Sequence, residues 1–209
     1  MGGYNALQSI EEFNPQANAW VTKATIPLEV GRHTSNEFNG RIYVFGGLYN
    51  PQSVQIYTPS TNTWTTGASI PESSYSHAST VVGDKIFLTG PANNRKAVYV
   101  YDPNANTWST RNAMTIGRYN HSSSVVNGKL FVIGGINANQ SIEEYDPTSN
   151  IWTAKTALPI QLSYHTSEVM GGKIYTFGGA YGIPSVLIFD PQSNSWTTSN
   201  IPVDIYEHS

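Results

Sequence analysis

Short apolar runs recur along the chain, each placed directly after a turn pair. The run Lys85–Leu88 follows Gly83-Asp84, and pairs of this kind adopt the positive φ angles of two-residue hairpin turns. Ser79–Val82 and Lys85–Leu88 are therefore predicted to be adjacent antiparallel strands. The runs are apolar at successive positions, which is typical of a strand packed on both faces. Equivalent runs are Ile42–Phe45, Leu130–Ile133 and Ile174–Phe177, after the turn pairs Asn39-Gly40, Asn127-Gly128 and Gly171-Gly172.

Two further strands are predicted after each apolar run. Ala97–Tyr101 forms a third strand that Asp102-Pro103 closes, because proline cannot donate to a ladder and aspartate favours turns. Asn106-Thr107-Trp108 lies on a fourth strand. Counterparts of the third strand are Val54–Tyr57, Ser141–Tyr145 and Val186–Phe189, and Asp146 and Asp190 are the equivalent turn residues. Four short strands without a helical stretch predict an all-β unit of propeller type.

The units repeat with a fixed period of 44 residues, which is within the range expected for propellers and solenoids. Glycine pairs keep the same register, except that the second full copy has Gly90-Pro91. We predict one domain over 1–209, with repeat units at about 1–24, 25–68, 69–112, 113–156 and 157–200, and a further or ring-closing strand in 201–209. The residues that mark the register are Trp20, Trp64, Trp108, Trp152 and Trp196, and His33, His77, His121 and His165.

The pattern resembles the kelch repeat. Residues 119–152 match it best, with His121-Ser122, Gly134-Gly135, Tyr145-Asp146-Pro147 and Trp152 in order. The resemblance covers essentially the whole chain and implies a kelch-type β-propeller of four-stranded antiparallel blades, with about five repeats and an incomplete first blade. It also implies that the glycine pair ends the second strand and that the tyrosine and tryptophan pack between blades.

The two ends do not make a whole number of blades. Five copies of the third-plus-fourth-strand half are present, but only four of the first-plus-second half. Two interpretations remain open: the chain is a piece of a longer propeller, or a second chain completes the ring. Unpaired blade edges favour association in either case, so a homo-oligomer is expected.

Composition excludes several classes of function. Charged residues make up 12% of the chain, the net charge is −3 and no basic run occurs, so no nucleic-acid partner is expected. No apolar stretch reaches transmembrane length, so no membrane partner is expected. Cysteine is absent, which excludes the Cys–Tyr crosslinked copper site of galactose-oxidase-like relatives of this repeat type. No cofactor is predicted.

Two sets of residues resemble catalytic or metal-binding groups but are given structural roles. The four histidines of the ladder lie in different blades, so we predict no metal site and instead a hydrogen bond inside each blade. The pairs Glu11-Glu12 and Glu143-Glu144 point to opposite faces of their strands and are predicted to be solvated. No catalytic residue is predicted.

Candidate binding residues lie in the loops, where copies differ while the scaffold positions agree. Ligands of characterised kelch propellers often dock on the face formed by the loops after the glycine pair and before the first strand. Tyrosine, asparagine and arginine are suited to recognition at such a face. The first loop offers Tyr4, Asn5, Tyr49, Asn50, Asn93, Asn94, Asn137 and Tyr181, and the second Arg32, Tyr75, Ser76, Arg118, Tyr119, Asn120 and Tyr164.

These observations predict a non-catalytic binding module whose loops recognise a protein segment or a carbohydrate. One alternative is an enzyme of the sugar epimerase or mutarotase kind known among bacterial kelch propellers, which needs an acid or base on the loop face. Another is an engineered or excised repeat fragment of the kind made to study propeller assembly. Fold alone does not decide between them.

Overall fold

The computed structural model describes residues 8–180 and 185–200, and the repeat unit predicted from the sequence is present in it. Four four-stranded antiparallel sheets follow one another, each with its strands in chain order, after one two-stranded sheet. We call the two-stranded sheet the half-blade and the others blades 1 to 4. The described residues contain no helix long and apolar enough to cross a membrane.

The strands of the half-blade and of the first two blades fall where the turn chemistry places them. The half-blade comprises β1 (Glu11–Asn14) and β2 (Ala19–Thr22). Blade 1 comprises β3 (Thr34–Phe38), β4 (Arg41–Phe45), β5 (Val54–Thr58) and β6 (Thr63–Thr66). Blade 2 comprises β7 (Ala78–Val82), β8 (Lys85–Thr89), β9 (Val98–Asp102) and β10 (Thr107–Arg111).

The last two blades repeat the same arrangement. Blade 3 comprises β11 (Ser122–Val126), β12 (Lys129–Ile133), β13 (Ile142–Asp146) and β14 (Ile151–Ala154). Blade 4 comprises β15 (Thr166–Met170), β16 (Lys173–Phe177), β17 (Ser185–Asp190) and β18 (Ser195–Asn200). The first strand of each blade lies beside the first strand of the next, so β3, β7, β11 and β15 form the inner ring of the propeller.

The hydrophobic core lies between blades rather than inside one. Phe45 and Val54 of blade 1 pack against Ile86, Leu88 and Tyr101 of blade 2, and all five are buried. Equivalent clusters join blades 2 and 3 and blades 3 and 4. Because full burial of a large apolar side chain contributes about 1.5–3 kcal/mol, each blade is stabilised mainly by its neighbours.

The aspartate-proline turns close the third strands as predicted. Asp102 Oδ1 accepts hydrogen bonds from the backbone N–H groups of Asn104 and Ala105, and Asp146 and Asp190 make the same turn. These hydrogen bonds, together with a lysine beside each carboxylate, hold the pKa of all three aspartates below the usual value.

Candidate functional site

Four residues with left-handed backbones form a collar around one end of the inner ring. Each lies directly before one of the four histidines that precede the first strands, and φ is between 51° and 56°; the residues are Arg32, Ser76, Asn120 and Tyr164. The N–H of Ser76 donates to the carbonyl of Arg32 over 3.0 Å, Asn120 to Ser76 over 2.8 Å and Tyr164 to Asn120 over 2.9 Å. The collar therefore links four blades through backbone alone.

The loop that follows the second strand and the segment that leads into the first strand meet on one face. The N–H of Gly47, after the second strand of blade 1, donates to the carbonyl of Ser74, in the segment that leads into blade 2, over 2.8 Å. Ala92 donates to Ser73 in the same way over 3.0 Å. Glycine is required at position 46 because φ is +58° and a Cβ there would overlap the Ser74 carbonyl oxygen. We call this surface the loop face.

The histidines below the collar join neighbouring blades. His77 Nε2 lies 2.8 Å from Thr34 Oγ1 of blade 1, and His165 Nε2 lies 2.8 Å from Ser122 Oγ of blade 3. The prediction of a hydrogen bond inside each blade is therefore wrong, because the hydroxyl comes from the preceding blade. Among the described residues, no three potential metal-ligating side chains lie close enough together to hold an ion.

Burial keeps these imidazoles neutral. It lowers the pKa of His165 and of His77 to about 3 and that of His33 to about 4, and it lowers the pKa of His121 well below the usual value. The cause is loss of water around the charged form. The four rings are therefore uncharged at neutral pH, and His77, His121 and His165 serve as neutral hydrogen-bonding groups.

Blade 2 compensates for a missing hydroxyl. The position that carries Thr34 in blade 1 and Ser122 in blade 3 is Ala78 in blade 2, which has no hydroxyl. Thr89 is the cross-strand partner of Ala78, and its Oγ1 lies 2.9 Å from His121 Nε2. The other copies have Phe45, Ile133 and Phe177 at this position. The polar residue at the end of β8 thus preserves the link between blades 2 and 3.

Arg118 and Glu143 form a buried ion pair, and two sequence predictions are corrected here. Arg118 was expected at the loop face but is 0% exposed, and Glu143 was expected in solvent but is also 0% exposed. Arg118 Nη2 donates to Glu143 Oε1, while Nη1 donates to the carbonyls of Gly134 and Ser141. Burial lowers the pKa of Arg118 and the Glu143 charge acts against this shift. The guanidinium thus connects the end of the second strand of blade 3 to the beginning of its third strand.

The other copies show why this position is buried. Arg118 is equivalent to Val30, Ser74 and Leu162, which are all buried. In blade 4 the pair becomes Leu162 and Leu187, both in the core cluster between blades 3 and 4. Glu144 is also buried, at 8% exposed, and pairs with Lys129 over 3.0 Å and Lys155 over 2.8 Å, so its predicted solvent exposure is wrong as well.

A cationic corner lies on the loop face between blades 2 and 3. The Arg95 guanidinium carbon is 3.5 Å from the centroid of the Tyr119 ring, close enough for a strong cation–π contact. Arg95 Nη1 is buried and has no hydrogen-bond partner. Glu72 accepts a hydrogen bond from the N–H of Asn94, the residue before Arg95, and its Oε1 is buried without a partner. Burial raises the pKa of this carboxyl, and the Asn94 hydrogen bond opposes the shift.

Comparisons with known proteins agree with this architecture. A family model described as the KLHDC2/KLHL20/DRC7 Kelch-repeats domain matches residues 2–135 and 76–208. The chain belongs to the kelch-repeat family. Among solved structures, one described as "Structure of YjhT" superposes with a TM-score of 0.79 at 17% identity, covering 92% of this chain and 75% of that chain. The sequence has no significant match among curated proteins.

Several predicted kelch loop residues do lie on the loop face. Tyr49, Asn93, Asn94, Asn137 and Arg32 are exposed, whereas Tyr75, Tyr119 and Tyr164 are half-buried. Asn137 borders an open groove of about 460 Å³ together with Asn139 and Gln140. Tyr4, Asn5 and Tyr181 lie outside the described residues.

Three other predicted residues contribute more to the scaffold than to the surface. Asn50 Nδ2 donates to the Glu29 carbonyl over 3.0 Å and so fixes the loop after the glycine pair. The side chain of Ser76 is buried. Asn120 is half-buried, and its Nδ2 is buried without a partner.

The sequence pattern does not identify Glu72 and Arg95, because the other copies carry different residue types at the equivalent positions. A signal was nevertheless present. The loop that contains Arg95 follows Gly90-Pro91, where this copy departs from the glycine pair, and it carries the run Asn93-Asn94-Arg95-Lys96. The departure from the glycine pair, together with two cations in a chain of low charge, indicates that this loop has a different role from the equivalent loops.

Proposed function

We propose that this chain is a non-catalytic interaction module and that its loop face recognises a segment of another protein. The observation that carries the proposal is the Arg95–Tyr119 pair, in which a cation is held over an aromatic ring on the loop face. The pair places a positive charge and an aromatic ring side by side, and both residue types are enriched at the centres of binding interfaces.

The chemistry of the corner suits a polypeptide. Arginine and tyrosine are enriched among residues that dominate binding energy, and the planar guanidinium pairs with carboxylate or carbonyl oxygens. Asn93 and Asn94 are exposed beside the corner and offer amides to a peptide backbone. Support also comes from the collar, since its backbone bonds fix the loops before a ligand arrives and so lower the cost of ordering them.

The test is a screen of peptide and glycan arrays, followed by measurement of affinity for the best ligand. Arg95→Ala and Tyr119→Ala should each weaken binding by tenfold or more, about 1.4 kcal/mol, while the melting temperature changes little. The matched control is Arg41→Ala, at the hairpin on the opposite face. Unchanged affinity in both loop-face variants refutes the site, and binding to glycans alone refutes the protein ligand.

One observation favours a second candidate, the epimerase-like enzyme. Burial raises the pKa of Glu72 and its Oε1 has no partner, and a carboxyl with a raised pKa is a candidate general acid. Under this alternative, the chain accelerates anomer exchange of a sugar, which proton NMR detects directly. Glu72→Gln should then abolish exchange but preserve sugar binding, whereas the interaction module shows no exchange with any sugar.

A further inference from the structure

Every complete joint between blades contains the same three contacts. The first is an aromatic pair between the second strand of one blade and the third strand of the next, with ring centroids 6.0 Å apart for Tyr43–Tyr101, 5.7 Å for Phe87–Tyr145 and 6.0 Å for Phe131–Phe189. This pair lies inside the clusters that form the core, so it reports directly on whether two blades are packed.

The other two contacts are hydrogen bonds between side chains and the backbone of the segment that leads into each blade. A tryptophan Nε1 donates to a carbonyl 40 residues earlier, over 2.7–3.0 Å, and an asparagine Oδ1 accepts from the N–H of that same earlier residue, over 2.6–3.0 Å. Trp196 and Asn194, for example, both bind the backbone of Thr156. The equivalent sets are Trp64 and Asn62 on Ala24, Trp108 and Asn106 on Ala68, and Trp152 and Asn150 on Asn112.

The half-blade carries one side of this joint, but the side chains that form it are exposed. Phe13 is 43% exposed and Trp20 is 69% exposed, whereas Tyr101, Tyr145 and Phe189, equivalent to Phe13, are all 0% exposed. The local geometry is nevertheless complete. The Phe13 and Trp20 rings lie 5.1 Å apart, as in the other copies, and Asn18 has the left-handed φ of its equivalents. This side is therefore preformed rather than disrupted.

Blade 4 carries the opposite side. Tyr175 is equivalent to Tyr43, Phe87 and Phe131, which are at most 4% exposed, but Tyr175 is only half-buried. Asn200, at the end of β18, is 44 residues after Thr156. Its backbone N–H and C=O are therefore equivalent to those of Thr156, which bind an asparagine and a tryptophan. Tyr175 and Asn200 thus present the complement of Phe13, Trp20 and Asn18.

We propose that a second copy of this chain docks head to tail across these two faces. Phe13 of one copy packs against Tyr175 of the other, and Asn18 Oδ1 and Trp20 Nε1 bind the N–H and C=O of Asn200. A second copy is the matching occupant because both halves of the repeated joint belong to the same chain, and the 69% exposure of Trp20 shows that its own blade 4 does not cover it. The β1 edge, unpaired on one side in the described sheet, adds to the drive for association.

The geometry makes the interface heterologous, because each copy uses a different face, so association continues until a ring closes or a filament grows. Light scattering and sedimentation equilibrium over a wide concentration range should therefore show masses that are multiples of one chain. Phe13→Ala combined with Trp20→Ala, or Tyr175→Ala alone, should reduce the mass to that of one chain. The matched control is Ile151→Thr. It removes a comparably exposed apolar side chain elsewhere and introduces the threonine that blades 1 and 2 have at this position.

Mixing the two monomeric variants gives the decisive result. Each retains one intact face, so the mixture should form a dimer of one chain of each kind and nothing larger. Failure of the mixture to dimerise, while the unmodified chain assembles, overturns the head-to-tail arrangement and indicates another interface. A mass of one chain at every concentration overturns the proposal altogether. Circular dichroism of each variant verifies that loss of assembly is not loss of fold.

Discussion

Mild acid should destabilise this protein through its buried histidines, and His165 allows the effect to be isolated. Its side chain is 7% exposed, its Nε2 is bonded to Ser122, and burial lowers its pKa to about 3 from an unfolded value of 6.5. Because the folded-state pKa is depressed, the unfolded chain binds the proton first. The stability contributed by the neutral ring is complete above the unfolded pKa and is lost progressively as the pH falls from 6.5 towards 3.

The magnitude follows from the two pKa values. At about pH 5 the unfolded ring is almost fully protonated and the folded ring is not, so His165 alone lowers the free energy of unfolding by about 2 kcal/mol relative to neutral pH. His77 has the same lowered pKa, and His33 and His121 shift in the same direction. Together these four rings should lower the free energy of unfolding by several kcal/mol on acidification, a large part of the roughly 5–15 kcal/mol that stabilises a typical domain.

The assay is urea unfolding at several pH values between about 7.5 and 5, where the lowered aspartate pKa values have no effect. His165→Gln cannot titrate, so the difference in stability between the variant and the unmodified chain should shrink by about 2 kcal/mol across this range. Ser124→Ala, which removes a 2.7 Å hydrogen bond to Ser167, is the control and should cost the same at every pH. A difference for His165→Gln that does not change with pH refutes the reasoning.

Three further substitutions test the joints between blades. Thr89→Val leaves His121 Nε2 buried without a partner and should lower the free energy of unfolding by about 1–3 kcal/mol, measured by urea denaturation. Glu143→Ala leaves the Arg118 charge buried and uncompensated, so it should cost about 3–5 kcal/mol in the same assay. Trp64→Phe keeps an aromatic ring but removes the N–H bond to the preceding segment, at a cost of about 1 kcal/mol by thermal unfolding.

Each of these predictions has a control taken from another copy of the repeat. Adding Ala78→Ser to Thr89→Val restores the hydroxyl of blades 1 and 3 and should recover most of the loss. Replacing both Arg118 and Glu143 by leucine reproduces blade 4 and should cost far less than Glu143→Ala, because no charge stays buried. Trp20→Phe, at an exposed position, should leave the free energy of unfolding unchanged in dilute solution. Equal costs for a variant and its control contradict the assigned contact.

The blade architecture was predictable because its determinants are local and recur. Turn pairs, apolar runs and aspartate-proline closures each act over a few residues, and the constant period aligns them. The partner of the histidines was not predictable in this way. A bond within one blade and a bond to the preceding blade leave the same 44-residue periodicity, so the ladder alone does not distinguish His77 paired inside blade 2 from His77 paired with Thr34.

Burial of Arg118 illustrates a second limit. Arginine is almost never fully buried unless it is paired, so its residue type favoured the surface. Its partner Glu143 lies 25 residues later in the chain, on β13. Alignment of the copies held the missing information, because the equivalent residues Val30 and Leu162 are apolar. Repeat-equivalent positions share an environment, and that environment outweighs residue type. For the Arg95–Tyr119 contact, the copies indicate that the Arg95 loop is different but not which residue it contacts, since the contact joins two loops that are not equivalent.

The collar has a consequence for how new specificity arises on this scaffold. Its cross-blade bonds involve only main-chain atoms, and its four members are already four different amino acids, Arg32, Ser76, Asn120 and Tyr164. Two restrictions apply to the side chains there: a left-handed backbone tolerates glycine and asparagine well and excludes β-branched residues, and the buried position of Ser76 accepts only a small side chain. Because the bonds between blades here do not depend on side chains, recognition is able to diverge at the collar positions whose side chains are not buried, without loss of these bonds.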